Sequence, residues 1–253
     1  MTKQFKDRFS NHASEYRLYR PLYPEALFNH LASLAPTREA AWDCATGNGQ
    51  SATCLARLFK QVYATDASSK QITHAIQKPN IDYSVSPAHR TALPDHSIDL
   101  ITVAQAIHWF DNEPFYREVR RVIKKGGVIA AWAYHLPVID PEIDRIIQRL
   151  YSEILGPFWE KEISHVASGY RDLYFPFKTL QSPVFTMKTN WNLYGLIGYL
   201  QTWSALEPYR KRYGNSPVER IVPDLLAVWE TPSSSKQVFW PIILKTGTSR
   251  QAC

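Results

Sequence analysis

The sequence predicts an α/β fold built on a mostly parallel, doubly wound sheet. Two observations carry that expectation. Between residues 40 and 132, short apolar runs alternate with segments of helical periodicity, in the order β-α-β-α-β and then β-α-β. A turn of small residues, Ala45-Thr46-Gly47-Asn48-Gly49, stands between the first strand and the next helix.

Each element follows from its own pattern. Leu27, Leu31 and Leu34 recur at helical spacing and place an amphipathic helix over 25–34. Ala40-Ala41-Trp42 leads into the small-residue turn, and 51–59 reads as the helix after it. Strands follow at 62–65 and 81–85, with a helix between them over 68–77. Residues 98–104 are apolar except for Asp99 and Thr102, as in a strand buried on both faces. A helix over 112–124 carries Phe115, Val119, Val122 and Ile123 on one stripe, with Pro114 in its first turn and Gly126-Gly127 ending it. The next strand is 128–132. Asp140-Pro141 opens a helix with Ile143, Ile147, Leu150 and Ile154 on one face. Strands at 184–188 and 238–245, with helices near 193–202 and 218–229, complete the reading, and the tail 246–253 is expected to be disordered.

No linker divides the chain, so a single domain is expected over 1–253. It comprises an N-terminal cap (1–36), a cofactor-binding half (37–134), an insertion or lid (135–180), the C-terminal half of the sheet (181–245) and the tail. With 253 residues the chain is long enough to bury a substantial core. The net charge of +6 is spread over the sequence, densest at Arg120-Arg121 with Lys124-Lys125 and at Arg210-Lys211-Arg212. This describes a solvated basic face rather than a nucleic-acid stripe. No run of eighteen apolar residues predicts a membrane span, and residues 1–10 lack the apolar core of a secretory signal. Cys44, Cys54 and Cys253 have no metal-ligand spacing. The expectation is a cytoplasmic protein with reduced thiols and no metal site. Eight Trp, fourteen Tyr and eleven Phe stock a core and also suit a pocket that encloses an organic ligand.

The chemistry concentrates at the first turn. Asp43 ends the first strand, the glycines admit close backbone approach, and the following helix presents free N–H groups. Asp66 ends the next strand about 20 residues on, where a doubly wound fold places the acid that accepts hydrogen bonds from ribose hydroxyls.

With Asp43, Ala45, Gly47 and Gly49, the chain resembles the class I S-adenosylmethionine-dependent methyltransferases, whose first motif reads roughly D-x-G-x-G-x-G. Ala45 stands in place of the first glycine. The likeness continues through Asp66, Pro87-Ala88-His89 with Leu93-Pro94, Ser97-Ile98-Asp99-Leu100, Gln105-Ala106-Ile107-His108-Trp109-Phe110 and Lys125-Gly126-Gly127. The 104–110 run, with Tyr16, Arg20-Pro21 and Tyr23-Pro24, is similar to the type 11-like subgroup containing trans-aconitate methyltransferases, which usually has an acidic residue where His89 stands. The resemblance implies a Rossmann-like sheet of seven strands, the last antiparallel, with a helical cap or insertion. It implies S-adenosylmethionine as cofactor and S-adenosylhomocysteine as product. Asp43, Ala45, Gly47 and Gly49 would face the methionine portion, Asp66 the ribose, Ala88 and His89 the adenine, and Gln105 and Ala106 the methyl group.

The acceptor implied is a small molecule, in the first place a carboxylic acid converted to its methyl ester. His108, just past the fourth strand, is the candidate general base. Tyr16, Arg20, Tyr23, Trp109, Tyr170 and Arg171 are the candidate substrate and lid residues, with Arg210 a further cation for an anionic acceptor. Two alternatives remain at this level. Gly47-Asn48-Gly49-Gln50-Ser51-Ala52 also satisfies the dinucleotide pattern of a nicotinamide-dependent oxidoreductase. Ala45 and His89 also leave open a cofactor-binding protein of weak or absent activity.

Overall fold

The computed structural model describes residues 19–249. Tyr16 and Cys253 lie outside them. The elements in chain order are α1 (Glu25–Leu34), β1 (Ala40–Cys44), α2 (Gln50–Leu55), β2 (Gln61–Asp66), α3 (Ser69–Thr73), β3 (Ile81–Val85), β4 (Ile98–Ala104), α4 (Asn112–Val122) and β5 (Ile123–Tyr134). Then come α5 (Pro141–Arg149), α6 (Ser164–Ala167), β6 (Lys178–Thr179), β7 (Thr186–Trp191), α7 (Leu193–Leu200), α8 (Leu206–Tyr213), α9 (Val222–Val228) and β8 (Lys236–Thr248).

The main path of the sheet is β3-β2-β1-β4-β5-β8-β6. β1 to β5 pair in parallel, and β8 runs antiparallel to β5. This is the seven-strand order with an antiparallel last strand that the resemblance implies. An eighth strand, β7, lies off the path and pairs only with the first half of β8. β8 thus changes partners along its length, holding β7 through residues 236–241 and β5 through 242–248.

Two apolar cores cover the two faces of the sheet. One is centred on Leu27, Leu31, Trp132, Leu196 and Trp240, the other on Trp42, Ile101, Phe115, Val119 and Tyr170. The helical stripes read from the sequence supply them: Leu27 and Leu31 of α1, Phe115, Val119 and Val122 of α4, and Ile143 and Ile147 of α5 are buried. Asp140 caps α5 as expected, its carboxylate accepting from the N–H groups of Glu142 and Ile143 at 3.2 and 3.0 Å.

Several expectations are corrected. Gly126-Gly127 do not end α4, which stops at Val122. Ile123 begins β5 by pairing with Ile98, and the glycines lie in a bulge before Val128 pairs with Leu100. Burying Ile123 in the sheet outweighs one more helical turn. The helix expected over 68–77 is only Ser69–Thr73; no residue of that short turn is buried to hold it, and Pro79 follows. The tail is not irregular from residue 246, since Thr246, Gly247 and Thr248 pair with Ala130, Ile129 and Val128. α8 and the two-residue β6 were not read from the sequence; α8 is polar, and β6 is recruited by the end of β8.

Candidate functional site

Because β1, β2, β3, β4 and β5 are parallel, the loops after them gather along one edge of the sheet. The turn after β1 is strained. Ala45, Gly47 and Gly49 all have positive φ, at 56°, 56° and 85°. Gly47 is open on its α-carbon face, where an added Cβ would meet nothing nearer than Gln71 Oε1 at 3.9 Å. Gly49 is closed, because a Cβ there would stand 2.1 Å from the Tyr83 hydroxyl. The two glycines therefore serve different ends: one leaves an approach to the backbone, the other admits a tyrosine from β3.

Asp43 lies beneath this turn, 1% exposed. Thr46 donates to one carboxylate oxygen at 2.6 Å and Thr102 of β4 to the other at 2.7 Å. Burial pushes its pKa up to about 6, against the lowering effect of the two hydroxyls. Asp43 is thereby a strut joining β1, the turn and β4. Thr46 and Thr102 went unnoticed in the sequence as functional residues. The available signal was Thr102, which with Asp99 interrupts the apolar run 98–104.

Asp66, at the end of β2, faces the turn from the other side. Its carboxylate accepts from the Gly47 N–H at 2.9 Å and from the Ser68 N–H at 2.8 Å. These bonds fix its orientation against the open glycine. Ala88 and the exposed His89 follow β3.

After β4, Gln105 is held at φ 55°, a conformation non-glycine residues rarely adopt. Its N–H donates to the Trp132 carbonyl at 2.8 Å and its side-chain amide to the Tyr134 carbonyl at 3.1 Å. Two of the five described non-glycine residues with positive φ, Ala45 and Gln105, thus sit directly after β1 and β4. Such strain concentrates where surrounding structure has a geometry to enforce. Ala106 leads into a single turn, Ile107–Trp109.

His108 is buried in that turn. Its Nδ1 is hydrogen-bonded to the Tyr170 hydroxyl at 2.9 Å, and its ring lies 4.8 Å from Trp109. Tyr170 is fully buried, and desolvation raises its pKa well above the ordinary phenol value. The candidate base is thus a packed, hydrogen-bonded side chain that brings Trp109 and Tyr170 together. Arg171, one residue on, is exposed.

The remaining candidates meet at the end of β5. Arg20 donates to the Tyr134 hydroxyl at 3.0 Å and lies 5.2 Å over the Tyr199 ring. Tyr23 packs edge-on against Trp132 and Tyr134, with centroids at 5.5 and 6.4 Å. Arg210 is bonded to the Gln201 side chain.

An α/β sheet with a strained small-residue turn after β1 and an acid ending β2 defines a nucleotide-type cofactor site. Comparison with known proteins makes this specific. Residues 42–131 match the family model described as a methyltransferase domain. A solved structure from Anaeromyxobacter dehalogenans, assigned as a type II methyltransferase, is 43% identical. It superposes with a TM-score of 0.86, covering 91% of this chain and 98% of that one. A protein from Dictyostelium discoideum assigned as a methyltransferase is 29% identical over 239 residues, 93% of this chain and 91% of its own. A Bacillus halodurans structure at 17% identity and a TM-score of 0.51 shares the fold. The chain belongs to the methyltransferase family, whose cofactor is S-adenosylmethionine. The nicotinamide alternative finds no support among these relatives. Among the described residues no helix is long and apolar enough to cross a membrane.

Proposed function

We propose that the protein transfers the methyl group of S-adenosylmethionine to an oxygen of a small organic molecule. A carboxylic acid is the acceptor class favoured by the likeness to trans-aconitate methyltransferases. The observation that carries the reading is the hydrogen bond from Gly47 to Asp66, which sets an acid against an open glycine at the C-terminal edge of β1 and β2.

In this reading Asp66 accepts hydrogen bonds from the ribose hydroxyls. The backbone of residues 45–49 borders the methionine portion, with Asp43 holding the turn in shape from below. Ala88 and His89 lie beside the adenine, Gln105 and Ala106 beside the methyl group. The bound cofactor supplies a methyl on a positively charged sulfur. The protein's part is to align the acceptor with that carbon and to exclude water. A carboxylate is already ionised at neutral pH and needs no base. The His108–Tyr170 pair then acts by fixing the loop after β4, with Trp109 and Tyr23 closing over the acceptor.

Thermal unfolding with S-adenosylmethionine, with NADH as control, tests the cofactor site. Ligand at about a hundred times its dissociation constant contributes about 2.7 kcal/mol. For a domain of this size that raises the melting temperature by roughly 5–10 °C. The shift should vanish in Asp66→Ala; a shift with NADH alone overturns the reading. A panel of di- and tricarboxylic and aromatic acids tests the acceptor class, and methylation of none of them removes it.

A further inference from the structure

The residues just past the end of β5 hold a polar atom that the fold leaves unsatisfied. His135 Nε2 is buried and has no hydrogen-bond partner among the described residues. A buried polar atom without a partner costs stability, and in a native protein it marks a place where another group is expected.

Its surroundings form a closed circuit of contacts. The His135 ring meets Tyr151 edge-on, centroids 4.8 Å apart at 89°. Trp203 lies 6.1 Å from Tyr151 and 6.2 Å from Tyr199. Arg20 rests over Tyr199 and donates to Tyr134, the residue before His135. The circuit is tied to the loop after β4 by the bond from the Gln105 side chain to the Tyr134 carbonyl. The unpartnered imidazole nitrogen therefore lies on a chain of contacts that runs through Tyr151, Trp203 and Tyr199 to the Arg20 guanidinium and returns through Tyr134. That chain is joined at Tyr134 to Gln105, the residue expected to border the methyl group.

We propose that His135 is the polar contact of the methyl acceptor: its Nε2–H donates to one oxygen of a small carboxylate whose flat, apolar body lies against Tyr151 and Trp203. Arg20 supplies the attraction for the negative charge. This rests on the methyltransferase reading and adds to it a specificity-determining residue and an acceptor shape. Burial lowers the His135 pKa, so its imidazole is a neutral donor rather than a second cation. The proton balance agrees with that role. The other carboxylate oxygen forms the new C–O bond while the C–S electron pair returns to sulfur. One negative and one positive charge cancel, and no proton has to leave.

Cinnamate, with cinnamamide as its uncharged counterpart, is the probe, added to the full chain loaded with S-adenosylhomocysteine. Calorimetry should show cinnamate bound more tightly than cinnamamide, and the His135 side-chain nitrogen resonances should move when cinnamate binds. His135→Leu should weaken cinnamate about tenfold or more, the cost of losing one charge-assisted hydrogen bond. His135→Gln, whose amide can stand where Nε2 stands, should recover most of it. Unchanged S-adenosylhomocysteine affinity in both variants reports an intact cofactor site. Cinnamate binding that is indifferent to His135→Leu, or lost equally in both variants, overturns the assignment of His135 while leaving carboxylate methylation standing. Failure of cinnamate and of every acid in the panel to bind overturns both.

Discussion

The hydroxyl of Tyr83 stands where a side chain on Gly49 would begin. The separation would be 2.1 Å, and the same hydroxyl donates to the Ile76 carbonyl at 2.8 Å. β3 therefore reaches across β2 to brace the turn after β1. Gly49→Ala should destabilise the protein by about 2–4 kcal/mol, combining left-handed strain with overpacking. Tyr83→Phe in the same chain should return part of that loss, and denaturant unfolding of both single variants and the pair measures the coupling. Strict additivity would show that the two positions do not meet.

Ala45 carries a Cβ at φ 56°, at the place of the first glycine in the motif that the chain resembles. Ala45→Gly removes left-handed strain of roughly 1–2 kcal/mol, offset by the greater freedom of glycine in the unfolded chain. The expected net effect is a gain of up to about 1 kcal/mol, read as a higher melting temperature. A loss of stability would mean that the alanine methyl makes a contact worth more than the strain.

Asp43 gives a pH signature. Its pKa rises from 3.8 in the unfolded chain to about 6 in the fold, so between these values the native state binds more protons. The stability this group contributes is therefore greatest below about pH 4 and falls as pH rises through about 6. Asp43→Asn should flatten unfolding free energy against pH over that window. The same slope in both proteins would show that Asp43 is not the group responsible.

For His108 the geometry points to positioning. His108→Ala should cost about 1–3 kcal/mol of stability, since it leaves the buried Tyr170 hydroxyl without its partner. The single-turnover rate should then change by less than the ~10²-fold expected for loss of an acid–base group. A larger fall, with folding intact, would restore His108 as the base.

The parallel half of the sheet was readable where a strand is buried on both faces, as in 98–104, and where a helix is amphipathic, as in α4. The turn and Asp66 were readable because glycine and a strand-end acid follow from local chemistry. What escaped depends on partners distant in sequence. Thr102 acquires its role only when β4 pairs with β1, and Gly126-Gly127 look like a helix stop until Ile123 is claimed by Ile98. His135 lies in a stretch without period; its neighbour Tyr151 and the Tyr199 and Trp203 rings linked to it come from two segments distant in sequence from it and from each other.

The exchange of partners along β8 has a consequence for how the molecule is made. Until residues 242–248 arrive, β5 ends the sheet with a row of open amides and the apolar run Val128–Tyr134 unshielded. A nascent or partly unfolded chain is therefore most vulnerable at that edge, where another copy could dock in place of β8. Completion of the sheet and protection from aggregation are therefore the same event, and both wait on the strand nearest the C-terminal end of the described residues.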